Sequence, residues 1–403
     1  MFVDGGWGGH MRFNLDRFAA VTLGLAMMAT SAACGNASDA SEYGAYPSHQ
    51  VNGDYDQQLS RARGVLAESL RLGERIVYAT DIDPELTTGR GGGVSADFHG
   101  LNSTVISAPE ANATNSADVL GAFGAMAANK PYSSNDDQQT KFLGVSIIAF
   151  TDEQKAAAAA GDMARADFEA NTDNAPVAVE AYPAALSHWR PGVPTLGSIM
   201  AWKSLVIRVY AQLPDPDLGR LVDVVTKTYQ RQLDLLSTFT PTAASELAKL
   251  PLDPDHMLPR LVKTGDYTPD DHDFAVYGPH AYSALLGSPA TDFAANAERG
   301  VSAIAVSYNK HLFRLRDEAG AEAYAGYLAG MHSDADYAPI RNGTGNSAVT
   351  CYQATKQLTQ TLDARRFRCL VVRGEYVAMV YSNADTDARE LAAAQYSVMG
   401  GAA

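Results

Sequence analysis

The residues that could do chemistry are few and scattered. Asp270-Asp271-His272-Asp273 offers carboxylates and an imidazole, the donor types a divalent metal takes. Consecutive side chains cannot converge on one ion, so this stretch reads as a solvated acidic loop. His188-Trp189-Arg190, followed by Pro191-Gly192, combines an imidazole, a large ring and a guanidinium. Aromatic rings and arginine dominate recognition surfaces, so this segment suits a pocket wall. The competing reading is a tight turn whose Trp189 plugs the sheet edge. His280, in Tyr277-Gly278-Pro279-His280, poses the same choice between ligand contact and a satisfied structural role. His188, Trp189, Arg190, Tyr277 and His280 are therefore the candidate binding residues.

Motifs for defined reactions are missing. The chain has no Gly-x-Ser-x-Gly elbow, His-Glu-x-x-His pair, dinucleotide fingerprint or Walker sequence. A Ser-His-Asp set needs no proximity in sequence, so dispersed catalytic residues stay open. Gly89, Gly91, Gly92 and Gly93 cluster, but Val94-Ser95-Ala96-Asp97 follows where a phosphate loop needs Lys and Ser or Thr. Residues 87–93 are expected as a mobile loop. No metal and no cofactor is expected.

Three cysteines divide by position. Met11, Arg12 and Arg17 precede an apolar run over 18–33, which ends Ser31-Ala32-Ala33-Cys34. A short run with one basic flank is an export signal rather than a membrane span. Met11 is the expected start, with 1–10 an upstream extension. The end is similar to a lipobox, except that Ser31 stands where an aliphatic residue is usual. Cys34 is then the expected lipidation site, with plain secretion as the alternative. In an exported chain the two remaining cysteines, Cys351 and Cys369, are expected to pair. A formal net charge of −15 argues against nucleic acid and against adsorption of the folded body to anionic headgroups.

The elements that must position these residues recur. A strand over 143–150 leads to a helix capped at Thr151, with Ala156, Ala159, Ala160 and Met163 on its buried stripe. A hairpin over 198–211 leads to Asp215-Pro216 and a long helix through Leu218, Leu221, Val225, Tyr229 and Leu236. The later chain repeats the order. Asp317 echoes Asp152 at a separation of 165 (317 − 152), and Tyr381 echoes Tyr210 at 171 (381 − 210). Strands over 367–372 and 376–382, turned at Arg373-Gly374-Glu375, end in a short amphipathic helix. Further expectations are helices over 60–72, 116–129, 243–250 and 289–300, and short strands over 75–79 and 177–181.

The fold expected is α+β: two similar units, each an antiparallel sheet with helices packed on one face. The divisions expected are a leader (1–34), a flexible tether (35–55), a first unit (56–239), a proline-rich linker (240–273) and a second unit with the disulfide (274–403).

Tyr46-Pro47, Asp81-Ile82-Asp83-Pro84, Ser187-His188-Trp189-Arg190-Pro191-Gly192, Leu252-Asp253-Pro254-Asp255 and Tyr277-Gly278-Pro279-His280 carry a resemblance. The mature chain resembles an actinobacterial lipoprotein family of unknown function, found in mycobacteria and nocardia. That resemblance implies an outward-facing envelope protein and no particular reaction. The second unit also resembles the disulfide-bearing extracytoplasmic sensor domains of mycobacterial kinases.

Two functional classes follow. One is a non-catalytic envelope protein, anchored by lipid on the outer face of the cell membrane, that binds a lipid, glycan or protein partner in a groove between the two units. The other is an envelope hydrolase with dispersed catalytic residues, which requires a nucleophile, a base in hydrogen-bond reach and oxyanion donors in one cleft.

Overall fold

Two seven-stranded antiparallel sheets share one strand order when the chain is read as two copies. The computed structural model describes residues 43–50, 56, 59–97, 99–102, 105–131, 140–264, 274–330, 337–340, 345–355 and 365–400. The leader, Cys34 and the acidic stretch 270–273 lie outside the described residues.

The first sheet runs β1 (Thr88–Val94), β4 (Val119–Ala128), β5 (Phe142–Phe150), β9 (Leu205–Gln212), β8 (Thr195–Trp202), β7 (Leu186–Trp189), β6 (Ala175–Val177). The second runs β10 (Phe274–Tyr277), β11 (Ala303–Ser307), β12 (Lys310–Arg314), β16 (Tyr376–Ser382), β15 (Phe367–Arg373), β14 (Val349–Ala354), β13 (Tyr337–Pro339). β2 (Ala96–Asp97) and β3 (Gly100–Leu101) form a separate small ribbon. α3 (Glu153–Glu169) follows β5 as α7 (Glu318–Gly330) follows β12. α4 (Leu218–Leu236) closes the first copy as α8 (Asp385–Met399) closes the second.

The registers superimpose as well. Val209 pairs with Val145 and Ser198, and Val380 pairs with Lys310 and Cys369. The separations are 165 (310 − 145) and 171 (380 − 209), the same as in the sequence echoes. The α+β plan of two similar units is therefore present, with one refinement: each sheet has helices on both sides. Gly197 and Ser198 point to opposite faces of β8. A Cβ at Gly197 would meet Asp167 of α3 at 3.3 Å, while Ser198 Oγ hydrogen-bonds Tyr229 of α4 at 2.7 Å. In the second sheet α8 covers the Cys369 face, where Cys369 Sγ reaches Ala388 O at 3.6 Å. α7 covers the Leu370 face.

Several local expectations change. Residues 116–129, expected as a helix, hold β4, with only one 3-10 turn at Ser116–Asp118. Its small residues fit between layers on both sides. A Cβ at Gly121 would come within 2.9 Å of Ser69 N in α1 (Arg61–Gly73), and one at Gly124 within 2.1 Å of Val105. The glycine run 87–93, expected as a loop, forms β1, bulged between Gly89 and Gly92. Gly92, at φ +150°, is needed there because a Cβ would strike Gly124 O at 2.3 Å. The helix cap falls on Asp152 rather than Thr151, and the next on Asp217 rather than Asp215. The strand over 177–181 is β6, ending at Val177, and 243–250 contains only a 3-10 turn at Leu247–Lys249. Residues 43–50, expected within a tether, run against α8, where Tyr46 Oη donates to Asp387 at 2.8 Å.

Residues 75–79 join no sheet, because a glutamine takes their backbone bonds. Val77 N donates to Gln232 Oε1 (3.0 Å), and Gln232 Nε2 donates to Arg75 O (2.7 Å). The second copy repeats this: Val262 N donates to Gln395 Oε1 (3.0 Å), and Gln395 Nε2 donates to Arg260 O (2.7 Å). Both glutamines are fully buried. Each unit thus ties an extended segment to its last helix with one side chain that satisfies a donor and an acceptor.

The two sheets belong to one compact unit, Glu42–Ala403. Glu74, at the end of α1, accepts from Ala281 N (2.7 Å) in α5 (Pro279–Ser283). His280 Nε2 donates to Ile76 O (2.6 Å), and its ring stacks on Tyr78 at 4.2 Å. α6 (Pro289–Glu298) adds Phe293 to this aromatic seam.

Candidate functional site

The expected binding residues fall in two separate places. His188, on β7, sits with its Nε2 3.7 Å from Asp167 Oδ2, and the edge of Phe168 faces it at 6.0 Å. Trp189 Nε1 donates to Val193 O (2.6 Å) and Val193 N donates to Arg190 O (3.0 Å), which closes a turn and leaves Arg190 exposed. Tyr277 is buried edge-on to Tyr282, and His280 is engaged by Ile76 and Tyr78. No contact joins the two groups among the described residues. None of His188, His280 or His311 hydrogen-bonds a serine, and no cluster of three or more His, Cys, Asp or Glu with metal-holding geometry occurs among the described residues.

The polar residues that are gathered lie on the α3 and α7 sides of the sheets. In the first copy Arg208, on β9, is buried and donates from Nε to Glu110 Oε1 (3.0 Å). Glu110 sits on α2 (Ala108–Asn112), where its other oxygen accepts from Ser107 N in a capping box. Burial opposes the Arg208 charge, but Glu110 and then Asp167 more than restore it, so its pKa is raised. This cation is neutralised inside the protein.

The second copy places a cation on the same side without such a partner among the described residues. Arg368, on β15, is fully buried, and its Nε, Nη1 and Nη2 make no well-aligned hydrogen bond, with the Tyr381 hydroxyl as the polar group within reach. Its guanidinium lies against two rings instead, 4.6 Å from the Tyr337 centroid and 5.0 Å from that of Tyr352. The Tyr381 hydroxyl is within hydrogen-bond reach of it, and the Arg365 guanidinium lies 4.9 Å from the Tyr381 ring centroid. Burial lowers the Arg368 pKa, against the support of Tyr381, Tyr337 and Tyr352. The neighbouring His311 is pulled down to about 3 by burial, then by Arg365 and Lys310, so it stays neutral and adds no charge. Tyr282 Oη bonds its Nδ1 at 2.7 Å.

Beside this cluster is a groove of about 470 Å³ between α7 and the β14–β15 pair. Ala325 and Ala329 form one wall and Thr350, Tyr352 and Leu370 the floor. β12 ends opposite Tyr376, at the hairpin turn, whereas β13 begins near Phe367. α7 therefore runs from the turn toward Phe367. Glu318 lies at the turn end of the groove and Ala329 toward Tyr352. Tyr352 is the shared residue, groove floor on one side and cation partner on the other.

Sequence reasoning missed Arg368 because its isolation comes from strands far apart in the chain. The available signal was Arg365-Arg366-Phe367-Arg368, three arginines in four positions of a chain with net charge −15. Cys351 and Cys369 are directly opposed on β14 and β15 and form a disulfide. No helix among the described residues is long and apolar enough to cross a membrane.

Residues 55–252 match the family described as Domain of unknown function (DUF7373) N-terminal, and residues 257–402 match its C-terminal counterpart. Among curated proteins nothing matches the chain. Among solved structures, the extracellular domain of PknH from Mycobacterium tuberculosis is 11% identical, over 39% of this chain and 93% of that one, with a TM-score of 0.28.

Proposed function

This chain belongs to the DUF7373 family, and we propose that it is a non-catalytic binding protein of the cell envelope. In this reading Cys34 carries a lipid that holds the folded body on the outer face of the cell membrane. The leader pattern, the acidic body and the Cys351–Cys369 disulfide support an exported setting. The partner is a polar envelope molecule, a glycan or protein segment, because the groove mixes an apolar floor with hydroxyls and one charged end. The observation that carries the reading is the α7 groove lined by Tyr352, whose ring also packs on the buried Arg368. Concave shape, aromatic wall and arginine are the parts that recognition sites reuse.

The test is native mass spectrometry of the full chain purified in detergent from its own envelope. A bound mass that is released on unfolding, and lost in Tyr352→Ala, is expected. A folded protein that never carries such a mass would sink the reading.

A further inference from the structure

We infer that the groove of the second unit ends in an anion site, with Arg368 as the group that receives a carboxylate or phosphate of the ligand. This deepens the binding reading above and rests on it.

The comparison between the two copies carries the argument. Both place a buried arginine on the same side of equivalent sheets, Arg208 on β9 and Arg368 on β15. Arg208 has Glu110 at 3.0 Å, held in place by its own capping bonds. For Arg368 no carboxylate among the described residues takes that part: its three guanidinium nitrogens are buried without a well-aligned hydrogen bond, and the neutral Tyr381 hydroxyl is the polar group within reach. Taking a cation out of water is costly unless an opposite charge meets it. Two tyrosine faces recover part of that cost, but a ring face satisfies no N–H donor.

Position makes the site usable. Arg365 and Arg368 both interact with Tyr381, so positive charge is doubled at this end of the sheet. The acids of the groove, Glu318 and Glu322, belong to the first part of α7, at the hairpin-turn end. An anion beside Tyr352 is thus remote from these two acids. Tyr352 lines the groove and its ring also packs on the guanidinium, so in this inference a turn of the Tyr352 side chain joins the two. The Tyr352 hydroxyl can then donate to the same anion, and arginine's planar fork receives two oxygens at once.

Thermal unfolding of the full chain in sodium chloride, sodium acetate and sodium phosphate at matched ionic strength tests this, with Arg368→Met and Arg368→Lys beside the wild type. The wild-type midpoint is expected to rise by several degrees in acetate or phosphate over chloride. Which salt acts tells a carboxylate ligand from a phosphate ligand. Arg368→Met should lose that rise and unfold above the wild type in chloride. Arg368→Lys keeps the charge without the fork and should retain only part of the rise. Equal wild-type midpoints in the three salts, or an undiminished rise in Arg368→Met, would overturn the inference. If Arg368→Met does not fold, the shift of the Arg368 Nε–H resonance in selectively labelled wild type decides, with no salt-specific shift as the refuting result. A co-purified ligand together with no anion response would remove the anion site and leave the groove reading standing.

Discussion

Ser187 Oγ and Ser198 Oγ lie 2.6 Å apart, at the register position where the second sheet carries its Cys351–Cys369 disulfide. Ser198 and Cys369 are equivalent because their partners on the next strand are Val209 and Val380. One copy joins its outer strands by a hydrogen bond, extended to Tyr229 Oη at 2.7 Å, and the other by a covalent bond. The same cross-strand site accepts either chemistry.

The covalent form should therefore be transferable. Ser187→Cys with Ser198→Cys is expected to oxidise to a bridge under mild conditions. Closing so short a loop contributes about 3 kcal/mol, and the lost Tyr229 bond offsets roughly 1 to 2 of that. Denaturant unfolding with and without reductant should show a net gain of about 1 kcal/mol only in the oxidised form. A folded double variant that stays reduced would show the two positions are not equivalent.

Gln232 and Gln395 should be equally costly to remove. Each alanine substitution leaves a buried N–H and a part-buried C=O without partners. The expected loss is about 2 to 4 kcal/mol per site. Urea unfolding of the two single variants measures it. A loss below about 1 kcal/mol at either position would argue that water replaces the amide there.

His311 gives an acid-side pH dependence. Its folded pKa, about 3, lies below the ordinary value of 6.5. The unfolded chain binds the proton first as pH falls, so the His311 contribution is complete above 6.5 and is lost between 6.5 and about 3. The midpoint difference between wild type and His311→Phe should change across that window. A constant difference from pH 7 to 4 would contradict a neutral buried ring.

Asp253 runs the opposite way. Burial raises its pKa from 3.8 to about 6, while the N–H groups of Met257 and Leu258 pull it down by donating at 2.7 and 2.8 Å. A raised carboxyl favours the folded state when protonated. Its contribution is present below 3.8 and declines as pH rises to about 6. Asp253→Asn should therefore gain on the wild type as pH rises from 4 to 6, read by thermal midpoints.

What the chain discloses before folding depends on whether a feature is local. The 165 and 171 separations were legible because strand and helix signals lie within a few residues of each other. β4 was not legible, since Val119–Ala128 is buried on both faces and shows no alternation. Its Gly121 and Gly124 answer to α1 and Val105, which no local window contains. Residues 75–79 read as a strand because they are apolar and extended, but Gln232, far along the chain, claims their backbone. His188 and His280 were conspicuous by type, and their surroundings come from Asp167, Ile76 and Tyr78 on other elements. Arg368 gave a weak sign through its arginine neighbours, while the missing counter-charge is a property of the assembled sheet.

The seam of Glu74, Ile76 and Tyr78 against His280 and Ala281 has no counterpart inside either copy. At this join the two halves are not interchangeable, although their sheets are alike. A gene cut between the halves would yield fragments that each present an unmatched adhesive patch, one with an orphaned carboxylate and one with an uncapped helix. Such fragments should find each other in solution and reconstitute the whole, and swapping one half for a second copy of the other should not.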